Sequence, residues 1–327
     1  MRTPLLVMAG VLTCANAVAA QSRDDLLCRP TLAPRAAGPQ VADDGFNPDV
    51  RNPAFPTGSG PRVSLDEAHR NFHTVEGRYS PFVRLLRRDG FVVDPLRERF
   101  TREALASARI LVIANPSTLR EQGDPYIPAP SAFNPDEVEA VRQWVFSGGS
   151  LLLIADHLPW GGAAAQLAEA FGLLFSHGYA TDATCSADEF LFQLSDGTLR
   201  DHPITRGRTD GERIRAVRTI TGQSFRSVNP NTSPLLVLAP QTVLLLPNAP
   251  WEFTDQTPRV PAEGMLQGAA LTHGAGRVAA FGEAAMFSAQ VSGPERRPMG
   301  MNMPTASENP QFLLNVTHWL AGLLPAE

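Results

Sequence analysis

Residues Asn134 to His157 read N-P-D-E-V-E-A-V-R-Q-W-V-F-S-G-G-S-L-L-L-I-A-D-H, and the fold class follows from this run. Asn134-Pro135-Asp136-Glu137 opens a helix with a cap residue, a proline at the first helical position and an acidic first turn. Val138, Val141 and Val145 recur at helical spacing and give it one apolar face. Gly148 and Gly149 end it, because glycine adopts the backbone conformations that close a helix. Leu151 to Ala155 is then an unbroken apolar run, the pattern of a strand covered on both faces. The chain continues through Asp156-His157 and a Gly-rich turn into a helix bearing Leu167 and Phe171.

The same alternation extends outward. Upstream, Val63 to Leu65, Phe91 to Val93 and Ile110 to Ala114 read as strands, and Pro81 to Asp89 reads as a helix. That helix has Ser80 as N-cap, Arg87 and Arg88 in its last turn and Gly90 just beyond. Between Tyr179 and about Pro261 the period changes to short alternating runs, such as Phe190-Leu191-Phe192, Leu235 to Leu238 and Val243 to Leu246, which predict an antiparallel insertion. The parallel pattern returns with Arg277 to Gly282, and Asn309-Pro310 caps a final helix carrying Phe312, Val316, Trp319 and Leu320. Gly264 to Thr272 and Met286-Phe287 read as packing segments. The expected fold is α/β: a flavodoxin-like, doubly wound, mostly parallel sheet over residues 62–327, with an antiparallel insertion at about 180–261.

Residues 1–20 carry Arg2, an apolar stretch from Leu5 to Leu12 and a small-residue end at Val18-Ala19-Ala20, a secretory signal pattern that predicts export to the periplasm or beyond. The apolar stretch is shorter than the roughly 20 residues of a membrane span, and no later segment is long and apolar enough to cross a bilayer. Residues 21–61, crowded with Pro, Gly, Asp and Asn, read as an extended arm over the surface. Cleavage leaves Cys28 and Cys185 in an oxidising compartment, where a disulfide would tie the arm to the body; two free thiols are the alternative. A net charge of −5 with scattered arginines gives no basic stripe, so nucleic acid is not an expected partner. The sequence holds no Lys, which excludes Schiff-base, pyridoxal-phosphate and Walker-lysine chemistry.

In an open parallel sheet the ligand crevice lies beyond the carboxyl ends of the strands. Asp66, Glu67, His69, Asn71 and His73 follow the first expected strand, Asn115 the third, Asp156 and His157 the next, and Glu283 the last. These polar groups therefore aim at one rim, with Trp160 placed to stack on a flat ligand or to fill the core. Asp66, Glu67, His69, Asp156 and Glu283 are the candidate catalytic groups; Asn71, His73, Asn115, His157 and Trp160 are candidate ligand contacts. His69 and His73, four apart, could share a helix face and hold a divalent metal with His157; structural histidines bonded to carbonyls and carboxylates are the alternative. One carboxylate with a raised pKa could serve as acid or base, or the same groups could cap loops and helices, as Asp156 could before Ala163.

The order of strand, D-E-A-H-R-N-F-H-T (Asp66 to Thr74), strand ending I-A-N (Ile113 to Asn115), capped helix ending G-G, strand ending D-H, H-P-I-T (His202 to Thr205) and G-E-A-A-M-F (Gly282 to Phe287) resembles an uncharacterised exported branch of the class I glutamine amidotransferase-like superfamily. The resemblance spans about Arg62 to Leu323 and implies the flavodoxin-like sheet. It also implies a nucleophilic Cys in the turn after a central strand, but that turn here holds Asp156-His157, and no G-x-S-x-G elbow substitutes for it. Glutaminase chemistry is not expected. The function expected instead is binding of a small polar or carbohydrate-like envelope ligand at the rim, with or without hydrolysis. A non-catalytic platform that docks another envelope protein through the insertion is the competing reading.

Overall fold

The computed structural model describes residues 39–118, 126–183 and 189–327. Residues 1–20, expected to be a signal segment, and Cys28 and Cys185, expected to form a disulfide, lie outside the described residues. In chain order the first half runs β1 (Gln40–Ala42), β2 (Arg62–Asp66), α1 (Ser80–Arg88), β3 (Val92–Leu96), α2 (Arg102–Leu105), β4 (Ile110–Ala114), α3 (Pro135–Phe146), β5 (Ser150–Ile154), α4 (Trp160–Glu169) and β6 (Leu173–Phe175). The middle comprises β7 (Tyr179–Asp182), β8 (Glu189–Gln193), α5 (Pro203–Arg206), β9 (Ala216–Ile220), β10 (Phe225–Ser227), β11 (Thr232–Val237), β12 (Thr242–Leu245) and β13 (Arg259–Pro261). The last part is β14 (Leu266–His273), β15 (Gly276–Phe281), β16 (Ala289–Ser292), β17 (Arg297–Gly300) and α6 (Asn309–Ala321).

The main sheet has nine strands. Strands β3, β2, β4, β5 and β15 lie side by side and parallel, in that order. Numbered among themselves they run 2-1-3-4-5, the order of flavodoxin-like sheets. The antiparallel strands β14, β10 and β6 extend the sheet beyond β15, and β11 also pairs with β14. Three smaller antiparallel groups surround it: β13-β12-β7, β8-β9 and β1-β16-β17.

The strand period of two divides the core between the faces. Ile110, Val112, Ala114, Leu152 and Ile154 pack on one side with Phe82, Leu85 and Leu86 of α1 and Phe312, Val316 and Trp319 of α6. Leu111, Ile113, Leu151 and Leu153 pack on the other with Val141 and Val145 of α3 and Leu167 of α4. Both faces are thus covered by helices, which is why the strands read as continuous apolar runs. Helix α3 starts as its sequence predicts, with Asn134 Oδ1 accepting from Glu137 N at 2.9 Å and Glu137 Oε2 accepting from Asn134 N at 3.1 Å.

Other expectations require correction. Tyr79, not Ser80, holds the N-cap position of α1, and Ser80 Oγ instead accepts from Arg84 Nη1. Asn309 is the first residue of α6 rather than its cap; its amide bonds both backbone groups of Arg218 on β9. Gly264 to Thr272, expected only to pack, holds all but the last residue of the strand β14, whose first six residues are buried. Small residues weaken its strand signal, yet the position requires them: a Cβ on Gly268 would lie 2.8 Å from Leu236 and 2.9 Å from Phe281. The arm is not merely an extended cover, because β1 pairs antiparallel with β16.

Candidate functional site

The strand order doubles back between β2 and β4, so the carboxyl ends of these strands open a crevice. Two asparagines stitch it. Asn71 Oδ1 accepts from Ala114 N at 2.8 Å, and its amide nitrogen donates to Asp66 Oδ2 at 2.6 Å. Asn115, at φ 58°, lies in the left-handed region that Asn tolerates, and its Oδ1 accepts from Asp156 N at 2.8 Å. The ends of β2, β4 and β5 are thereby held in fixed relation.

Above them lies a cavity of about 190 Å³, the room of on the order of six waters, or a single sugar ring. Its lining includes His73, Asn115, Asp156, His157, Trp160 and Glu283, six of the residues singled out in the sequence. Glu283 is wholly buried, with Oε1 accepting from Ala285 N at 2.6 Å and Oε2 from Met286 N at 2.7 Å. Burial, then the charge of Asp156, raises its carboxyl well above the usual carboxylate range against those N–H donors.

His73 is buried, and its Nδ1 has no hydrogen-bond partner. Burial, helped by the Arg78 cation, lowers it to about 3, so it enters the cavity wall as neutral imidazole. His157 stacks on Tyr179 at 4.2 Å between centroids, with Trp160 at 5.1 Å and Trp251 at 4.8 Å, while its backbone N–H donates to Asp156 Oδ1 at 2.8 Å. That last bond corrects the capping expectation: Asp156 accepts from its neighbour, and Pro159 precedes α4.

The structure does not bring every candidate to the cavity. His69 is bonded on both ring nitrogens, Nδ1 3.0 Å from Asp66 Oδ1 and Nε2 2.9 Å from Glu137 Oε1, and it packs against both Phe100 and Phe133. Burial opposes its charge, but the bonds and charges of Asp66 and Glu137 raise its pKa above the ordinary value. Asp66 is fully engaged by Ala68 N, His69 and Asn71. Glu67 accepts from Val75 N and Arg97 Nε. Asp66, Glu67, His69 and Asn71 are thus the bracing of the site, and the catalytic roles expected for the first three and the ligand contact expected for Asn71 are not placed at the cavity. The metal shell of His69, His73 and His157 does not assemble either: among the described residues no three His, Cys, Asp or Glu side chains could share an ion.

Sequence reading missed Gln40, Phe72, Thr221, Trp251 and Gln290, which also line the cavity. The available signal was compositional only: Phe72 sits inside the quoted polar cluster, whereas Gln40 and Trp251 lie in loop-like stretches far away in the chain. Thr221 and Trp251 have φ of 53° and 63°, an unfavourable conformation for side chains of their kind and a mark of sites where strain is retained. Next to Thr221, Gly222 adopts φ +74° and packs so closely that a Cβ would lie 2.5 Å from Gly282 O. Buried Gln267 locks this turn by donating to Thr221 O at 2.8 Å and Gln223 O at 3.1 Å.

The molecule is thus a doubly wound α/β protein with a partly open cavity at the strand carboxyl ends, walled by aromatic rings, carboxylates and amides. No protein-family profile matches the chain, and no curated protein is similar to it in sequence. Among solved structures it is similar to the mmIFT52 N-terminal domain, with 16% identity over 79% of this chain and 96% of that one and a TM-score of 0.52. It is also similar to a ThuA-like protein from Bacteroides uniformis, with 14% identity, 84% and 94% coverage and a TM-score of 0.45. The likeness to the mmIFT52 domain concerns the fold alone.

Proposed function

We propose that this is an exported protein whose cavity binds a small, uncharged, carbohydrate-like ligand of the cell envelope. The observation that carries the reading is the composition of the wall: Phe72, Trp160 and Trp251 offer ring faces, and Asn115, Asp156, Glu283 and Gln290 offer polar atoms, with no arginine among them. A pyranose presents apolar C–H faces and hydroxyl edges, which such a wall matches. An anionic ligand would meet two carboxyl groups and no arginine in the lining itself.

The turn after β5 carries Asp156-His157 in place of a cysteine, which supports a chemistry other than glutaminase. In a hydrolytic version, Glu283 gives its proton to the leaving oxygen while Asp156 takes one from the attacking water. A second reading, a docking platform, is favoured by Leu174, Leu191, Val228 and Val260, exposed apolar residues of the antiparallel part.

A thermal-shift screen of the purified protein against neutral monosaccharides, uronic acids and divalent metals separates these readings. A rise in melting temperature with one or more neutral sugars and none with uronic acids is expected; silence toward all sugars overturns the proposal and favours the platform.

A further inference from the structure

The cavity wall is completed by a segment remote in sequence. Gln40, on the arm strand β1, lines the cavity, and its amide nitrogen donates to Oε1 of Gln290 at 3.0 Å across 250 residues. Gln290 is fully buried on β16, and its own amide nitrogen is taken by Ser288 Oγ at 2.6 Å. The arm itself contributes little core at this end, since β1 is three residues long and Val41 is exposed.

Arginines of the first helical region hold it instead. Arg78 Nε donates to Gln40 O at 3.0 Å while its guanidinium covers the ring of Phe72, another wall residue, at 3.7 Å. Arg84 Nη2 donates to Asp43 O at 2.9 Å, and Arg88 Nη1 to Pro48 O at 2.7 Å. Asn302 Nδ2 adds a bond to Asp43 Oδ2 at 2.9 Å. Apart from the Arg88 bond, which is exposed, these contacts are polar and part-buried, and each contributes modestly, so the arm end is held by many small terms rather than by a packed core.

We infer that the arm is a working part of the ligand site: Gln40 contacts the ligand and sets its specificity, and the site is complete only while β1 is docked on β16. The inference rests on the cavity being the ligand site proposed above. A bound ligand touching Gln40 stabilises the docked arm, and by linkage a loosened arm weakens binding.

The test uses the full chain in three forms: wild type, Gln40→Ala, and the double variant Arg84→Ala/Arg88→Ala, whose residues lie outside the cavity lining. Binding is titrated with the neutral sugar that shifts the wild type most. Arm docking is read by hydrogen exchange at residues 40–43, and cavity access by acrylamide quenching in a Trp144→Phe background, which leaves Trp160, Trp251 and core Trp319 as emitters. Expected are a loss of affinity of about tenfold or more in both variants, sugar-dependent protection of residues 40–43 in the wild type, and stronger quenching in the double variant. Unchanged affinity in both variants, with a sugar-binding wild type, overturns the arm's role and leaves the cavity reading intact. If no sugar binds the wild type, the cavity reading fails by itself; quenching in the double variant equal to wild type then overturns the arm inference too, and stronger quenching sustains the arm as a movable wall.

Discussion

The ring of His73 stacks on that of Tyr79 with centroids 4.3 Å apart and planes inclined by 30°. Tyr79 in turn donates its hydroxyl to Ala284 O at 3.0 Å, beside Glu283. A neutral imidazole therefore connects the first loop of the sheet to the last. Burial has lowered its folded pKa from 6.5 to about 3. A group with a depressed folded pKa contributes stability that is present above the unfolded value and is lost as pH falls. Unfolding free energy should thus drop between pH 6.5 and 3, by up to about 5 kcal/mol from this residue alone. His73→Phe should flatten that limb in urea titrations at stepped pH, whereas an acid limb identical to wild type would refute the assignment.

His69 carries the opposite sign. Its folded pKa is raised, so its contribution is fully present below the unfolded value of 6.5 and is lost as pH rises through the folded one. His69→Ala leaves Asp66 and Glu137 buried without their partner and should cost about 3–5 kcal/mol at pH 6, less at pH 9. Chemical denaturation at both values checks this; a loss that did not shrink with pH would show that packing against Phe100 and Phe133 dominates.

Glu283→Gln should destabilise the protein by about 1–3 kcal/mol, because the new amide nitrogen faces backbone N–H groups that need an acceptor. The raised folded pKa of Glu283 implies stability that declines as pH climbs above the unfolded carboxylate value of 4.5. The variant should lose that alkaline decline. Melting temperatures recorded from pH 4 to 8 would show it, and parallel curves for the two proteins would contradict it.

Leu152→Ala, in the middle of β5, removes a fully packed side chain from the helix-covered sheet and should cost about 2–5 kcal/mol without altering the cavity lining. Leu174→Ala, at an exposed position on β6, should cost far less. Equal losses would mean that the two faces of the sheet are not packed as described.

Much of this was legible in the chain. Ile110 to Ala114 and Leu151 to Ala155 read as strands because burial on both faces demands continuous apolar runs, and Asn134 with Glu137 announced a helix start. The rim residues Asn115, Asp156, His157 and Glu283 were legible because the parallel topology puts strand ends together. His69 and Asp66 do not line the cavity, for a physical reason: two carboxylates flanking an imidazole satisfy one another and form a brace with the same residue types as an active site. Gln40 and Trp251 were invisible because their place depends on pairing across long stretches of chain, through β16 for one and contact with Tyr179 and His157 for the other. Residue type cannot encode such separations locally.

The most direct measurement is calorimetric titration of wild type, Trp160→Ala and Trp251→Ala with neutral monosaccharides and with glucuronate. A cavity built for an uncharged ring predicts measurable binding of a neutral sugar by the wild type, at least tenfold weaker binding by each tryptophan variant, and none of glucuronate. Glucuronate binding as tight as its neutral counterpart, or tryptophan variants that bind like wild type, would contradict it.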